Sequence, residues 1–156
     1  MSIERVKAYF KENNIPNKIL EFDVSSATVA LAAEALGCEN ARIAKTLSFK
    51  VDNFCVLIVT SGDAKVDNSK FKAIFGTKAK MPSGDEVEEL CGHAIGGVCP
   101  FAVKENVKVY LDISLSRFDT VFPACGSSNS AVEMTFEELQ KYSNSIETID
   151  VCKDWQ

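Results

Sequence analysis

Residues 91–101, CGHAIGGVCPF, hold the residue types of a thiol active site. Cys91 and Cys99 flank His93, the one histidine of the chain. A cysteine nucleophile needs thiolate character, supplied by a nearby imidazole or a helix amino terminus. The same stretch admits a second chemistry. Gly96 and Gly97 let main-chain N–H and C=O groups approach a ligand closely, while Pro100 fixes the course of the chain. A plain turn is the third reading, and the residues alone leave all three open.

Other chemistries lack their signals. The cysteines at 38, 55, 91, 99, 125 and 152 form no CxxC pair. With a single histidine, a zinc site would need ligands gathered from distant positions, so no metal and no cofactor is expected. Neither this loop nor the turn-rich FPACGSSNS at 122–130 is a P-loop, since no GK[ST] follows. G-x-G-x-x-G and the nucleophile elbow G-x-S-x-G are both missing from the chain.

Lys45 is the other residue of chemical interest. In IAKTLSFKV the positions Ile43, Lys45, Leu47, Phe49 and Val51 share one parity, and Thr46, Ser48 and Lys50 take the other. A regular strand therefore turns Lys45 to an apolar side, where an ammonium group needs a partner or an opening. The competing reading starts the strand after Lys45 and leaves the lysine in a solvated loop.

The surrounding elements follow from periodicity and caps. Ile3, Val6 and Phe10 mark an amphipathic helix ending near Asn14, and KILEFDV alternates as a strand. A helix from about Thr28 to Leu36 closes at Gly37. FCVLIVTSG reads as a strand buried on both faces. DNSKFKAIFG is a helix with Phe71 and Ile74 inward, and KAKMP is a short strand. SGDEVEEL and TFEELQKY carry capping boxes, Ser83/Glu86 and Thr135/Glu138. NVKVYLDI, TVF and AVEM are further strands, and the tail bearing Cys152 and Trp155 packs or frays. Without repeats, linkers or a strict βαβ rhythm, the pattern predicts one α+β (mixed α/β) domain over 1–156, around a curved, partly barrel-like sheet flanked by helices.

Composition bounds the partners. The chain has 156 residues and a net charge of −5. That charge disfavours a general nucleic-acid coat, and DNA is not an expected partner. A local basic patch stays open, because Lys65, Lys70, Lys72, Lys78 and Lys80 fall close together; a solvated lysine-rich face is the alternative. No apolar run reaches the ~20 residues that span a membrane, and the charged amino terminus is unlike a signal peptide. A cytoplasmic location with no membrane partner is the expectation.

The blocks ARIAKTLSFK, VTSGDAKVDNSKFK, GHAIGGVCPFAV and VYLDISLSRFDTVFPACGSSNSAVEMTFEEL, in this order, resemble the YbaK/ProX-type aminoacyl-tRNA editing family. That family includes the insertion domain of prolyl-tRNA synthetase. The resemblance covers roughly residues 25–142. It implies a free-standing trans-editing deacylase, without a synthetase catalytic domain, that hydrolyses the ester of an Ala-, Cys-, Ser- or Thr-tRNA. It also implies water attack helped by the substrate's own ribose hydroxyl, with the tRNA CCA end and a synthetase as partners. Lys45 matches the family lysine near the terminal adenosine, and Gly96, Gly97, Val98 and Pro100 match the loop whose main chain positions the aminoacyl group. Ser61, Gly62, His93, Cys99, Phe101, Gly126, Ser127 and Ser128 are the substrate-binding positions it implies. Ala102 and the PACGSS turn depart from the usual pattern. The rivals are a non-catalytic synthetase- or tRNA-binding module, and a thiol enzyme using Cys99 or Cys91 with His93.

Overall fold

The computed structural model of the chain describes residues 2–155. Helix α1 (Ser2–Glu12) buries Val6 and Phe10, and β1 (Ile19–Glu21) follows. Helix α2 (Val29–Leu36) begins where the Thr28 side chain accepts the Leu31 amide and ends at Gly37, φ 70°. Strands β2 (Ile43–Val51) and β3 (Phe54–Ser61) form a long antiparallel hairpin. Its two-residue turn sets Asp52 at φ 54°, a conformation aspartate tolerates.

Next come β4 (Lys65–Val66) and α3 (Asn68–Phe75), with Asp67 as the amino-terminal cap of the helix. Helix α4 (Gly84–Cys91) starts in the Ser83/Glu86 capping box. Strands β5 (Lys108–Asp112), β6 (Thr120–Pro123), β7 (Ser130–Val132) and β8 (Met134–Thr135) precede α5 (Phe136–Tyr142), which starts in the Thr135/Glu138 box. Strands β9 (Glu147–Ile149) and β10 (Cys152–Lys153) close the order.

The main sheet runs β8-β6-β2-β3-β5-β9 and curves as a half-barrel. It is mixed: β2/β3 and β6/β8 are antiparallel, while β2/β6, β3/β5 and β5/β9 are parallel. This is the α+β architecture expected from the sequence. Strand β3 is buried on both faces, as its unbroken apolar run requires. Leu57 and Val59 join Val109, Leu111, Val6, Phe10 and Phe101 on one side. Val56 and Ile58 meet Phe49, Phe71 and Val151 on the other. A smaller cluster of Ala32, Ala33, Ile43, Phe122 and Ala131 lies under α2.

Several local expectations are corrected. The KILEFDV strand stops at Glu21, and Val24 is exposed, because β7 offers only three partners. KAKMP forms no strand; among the described residues its backbone bonds to β2 once, the Lys50 amide donating to the Lys80 carbonyl at 2.8 Å. Ile74 faces solvent, while Phe71 alone on α3 is buried. The tail contributes two strands. It is anchored by buried Asp112, whose carboxylate accepts the Val151 amide at 2.9 Å and the Ser114 amide at 3.0 Å.

Candidate active site

Strand β6 pairs with β2 only at Ile43 and Ala44. From Lys45 to Phe49 the β2 edge has no strand partner, and a cavity of about 230 Å³ occupies it. Lys45 to Ser48 form its floor. Ser26 to Val29, at the start of α2, form one wall, Met81, Pro82, Ile95, Gly96 and Val98 another, and Phe122, Ala124, Ser130 and Ala131 close the end. Because the Lys50 amide leaves β2 on this edge, strand alternation points the amides of Ser48 and Thr46 the same way. Thr46 Oγ1 is buried with no hydrogen-bond partner among the described residues. The amino-terminal end of α2 adds a partial positive charge at the wall.

Lys45 lies within β2, half-buried, on the parity of Leu47 and Phe49. The reading that leaves it in a loop is closed. Burial lowers its pKa; the nearby charge of Lys65 acts in the same direction, while Cys152 and Asp63 oppose it. It makes no ion pair among the described residues. The ammonium group is therefore available to an anion in the cavity.

The glycine loops meet. Gly96 has φ 90° and, with Val98, lines the cavity. Gly97 faces away: a Cβ there would lie 2.8 Å from the Gly126 carbonyl oxygen and 3.0 Å from the Ser127 amide nitrogen. Gly126, at φ 93°, leaves equally little room, 2.9 Å to the Ser2 backbone. The two loops are thus fastened main chain to main chain, a contact only glycine permits. Ser127 hydroxyl bonds to Asn129 Oδ1 (2.9 Å) and Ser130 Oγ (2.7 Å), and the Ser128 carbonyl accepts the Ser26 amide at 2.6 Å. Gly126, Ser127 and Ser128 therefore hold the cavity wall, whereas Ser130 lines it.

Other expected contacts lie away from the cavity. Ser61 is fully buried; its hydroxyl bonds to the Ala41 carbonyl and Asp63 Oδ1 (2.6 Å) and accepts Arg117 Nη2 at 2.8 Å. Gly62 packs under the Asn40 carbonyl, where a Cβ would lie 2.1 Å from that oxygen. Pro100, Cys99, Phe101 and His93 are core residues. Phe101 stands edge-on to Phe10 with centroids 5.2 Å apart. His93 Nε2 donates to the Phe101 carbonyl at 2.7 Å, and burial lowers its pKa.

That geometry removes the thiol chemistry. With its proton on Nε2, the imidazole has no lone pair for Cys99, whose Sγ sits 3.5 Å from that same nitrogen. Burial pushes the Cys99 thiol up to about 12. The Cys55 thiol, hydrogen-bonded to Cys91, holds the Cys91 thiol down, yet both are closed to solvent. No cysteine, histidine, aspartate or glutamate lines the cavity among the described residues.

Thr46, Ser130, Met81, Ile95 and the start of α2 are site residues that the sequence reading passed over. Thr46 sat on the wrong parity for a face-lining residue, but the cavity opens on the strand edge and meets both parities.

Residues 24–142 match the family model described as Aminoacyl-tRNA editing domain. The chain belongs to the aminoacyl-tRNA editing family. Its class of activity is that of a hydrolase acting on mischarged tRNA. This editing domain is 54% identical, over the whole length of both chains, to the uncharacterized protein YwhH of Bacillus subtilis. It is 27% identical to EbsC of Enterococcus faecalis, which is named as a Cys-tRNA(Pro)/Cys-tRNA(Cys) deacylase, over 86% of this chain and 84% of that protein. A crystal structure described as a trans-editing enzyme for prolyl-tRNA synthetase superposes with a TM-score of 0.89 at 29% identity, covering 97% of each chain.

Proposed function

We propose that this editing domain acts in trans on a tRNA carrying a small, uncharged wrong amino acid and hydrolyses the ester at the CCA end. The observation that carries the reading is the convergence of Lys45, the Gly96–Val98 main chain and the start of α2 on one largely apolar cavity. The named activities of its relatives support the substrate class.

Each group has a role that its chemistry suits. The Lys45 ammonium neutralises a phosphate near the terminal adenosine. Main-chain groups at Gly96 and Val98 orient the aminoacyl carbonyl, held in register by Gly97 and Pro100 behind them. Thr46 Oγ1, short of a partner, accepts a hydrogen bond from the α-ammonium group. Ala32, Ile43 and Val87 bound the side-chain space. Because no carboxylate or imidazole lines the cavity among the described residues, the vicinal ribose hydroxyl assists the attacking water. Water adds to the carbonyl, the ester C–O bond breaks, and free amino acid and a ribose hydroxyl result. Positioning and polarisation suffice for an activated ester.

The logic of a separate pocket follows from energetics. One methylene more or less is worth only about 1–3 kcal/mol of discrimination at a synthetase, so a second, smaller sieve raises fidelity. The test is a panel of tRNA(Pro) mischarged with alanine, cysteine, serine or threonine. At least one ester disappears faster with protein than without; no acceleration of any of them overturns the reading.

A further inference from the structure

We propose that the two-stranded ribbon of β4 and β10 is the docking track for the phosphate backbone of the tRNA acceptor strand, with Lys65 and Lys153 as its contacts. This rests on the deacylase reading, and it extends the site from the CCA end to the helix behind it.

Lys65 and Lys153 are directly opposite each other in the antiparallel register of the ribbon, and both are exposed. Like charges in that relationship repel. Neither makes an ion pair among the described residues, although the chain carries an excess of acid. The flanking cations differ: Lys70 is held by Asp150 at 3.0 Å and Arg117 by Asp63 at 2.6 Å. Asp67 lies within electrostatic range of Lys153. Its Oδ1 is turned to the α3 amides of Ser69 and Lys70, at 2.8 and 3.1 Å.

The ribbon also adjoins the cavity. Lys45 is paired with Thr60 near the end of β3, and β4 begins four residues after that strand. Lys65 and Cys152 of the ribbon lie within electrostatic range of Lys45, so Lys153, Lys65 and Lys45 form a run of neighbouring cations. A polyanion with regularly spaced charges fits such a run, and a strand whose 3′ end enters the cavity is one. The track also explains how a chain of net charge −5 captures RNA: the positive potential is local.

The experiment compares the wild type with the Lys65→Gln/Lys153→Gln double variant on two substrates mischarged with the same amino acid, full tRNA and a CCA trinucleotide. For full tRNA, the variant raises KM about tenfold at low salt with kcat unchanged. The slope of log KM against log salt falls by roughly 1.4–1.8, the share of two phosphate contacts. For the trinucleotide, both constants stay as in the wild type. An unchanged KM and salt slope on full tRNA overturns the track. Equal losses on both substrates also overturn it, because the lysines would then act on the cavity.

Binding of uncharged tRNA, measured by fluorescence anisotropy, separates this proposal from the activity. If the wild type hydrolyses neither substrate, the deacylase reading fails, while weaker tRNA binding by the variant still supports the track and equal binding overturns it. Loss of binding to prolyl-tRNA synthetase with tRNA affinity intact would assign the ribbon to a protein partner and overturn the proposal.

Discussion

Gly97 and Gly126 touch through their main chains, so that a Cβ on Gly97 would stand 2.8 Å from the Gly126 carbonyl oxygen. This contact sets the separation of the two loops, and with it the place of Gly96 and Val98 in the cavity. Gly97→Ala forces the loops apart. It should lower stability by about 1–3 kcal/mol, the usual cost of overpacking, and reduce deacylation kcat/KM well beyond what partial unfolding accounts for. A Cβ on Gly96 would meet only the Ser128 Cβ, at an ordinary 3.9 Å, but Gly96→Ala keeps φ 90° and should cost about 1–2 kcal/mol from backbone strain. Thermal melts and single-turnover deacylation of both variants check the distinction.

His93 makes folding sensitive to mild acid. Its pKa is lowered by burial, with the charge of Arg5 acting in the same sense and the Phe101 hydrogen bond against it. The unfolded chain takes up a proton near pH 6.5, and the folded chain only at lower pH. Below about 6.5 the unfolded state thus binds more protons, and stability falls as pH falls. The loss approaches about 1.4 kcal/mol per pH unit from this group until the folded pKa is reached. His93→Gln keeps a donor for the Phe101 carbonyl and should flatten that part of the profile, measured by urea midpoints between pH 7 and 5.

Cys99 is a packing residue. Its thiol is fully buried and pushed up to about 12, so alkylation by iodoacetamide at pH 7.5 should be slow in the folded protein. Cys99→Ser should retain kcat/KM within a few-fold, since the hydroxyl can donate to the same Phe101 carbonyl. A loss of a hundredfold or more with the fold intact would restore a thiol mechanism.

Ala102 occupies the left-handed region at φ 53°, a conformation that favours glycine. Ala102→Gly relieves that strain and should raise stability by about 0.5–1 kcal/mol, read as an upward shift of the melting midpoint. A lower midpoint would show that the Ala102 methyl contributes packing that outweighs its backbone.

Local rules made much of the fold legible. The Ser83/Glu86 and Thr135/Glu138 boxes mark two helix starts, Gly37 marks one end, and parity places Lys45 within β2. Strands β9 and β10 escaped because each is two or three residues long and exists only through pairing with β5 and β4, which no periodicity records. The same long-range pairing brings Lys153 to Lys65. Cys99, His93 and Phe101 looked chemical because they adjoin Gly96 in sequence, but the loop alternates, turning Gly96 and Val98 to the cavity and Gly97, Cys99 and Phe101 inward. Ser61 and Gly62 lie at the end of β3, one pairing step from Lys45, yet they face the Asn40–Ala41 backbone and Arg117. Thr46 was hidden for a different reason: a half-paired strand exposes its edge, and only the register of β6 shows where pairing stops.

The central claim is that the cavity on the open edge of β2 is where the ester is hydrolysed, with Lys45 as its anion-binding group. The most direct measurement is kcat/KM of wild type and Lys45→Ala on the most rapidly cleaved mischarged tRNA, with melting midpoints recorded in parallel. Lys45→Ala should fall by a hundredfold or more with a midpoint equal to or above that of the wild type, because a partly desolvated charge has been removed. Undiminished hydrolysis by a folded Lys45→Ala protein would contradict the account.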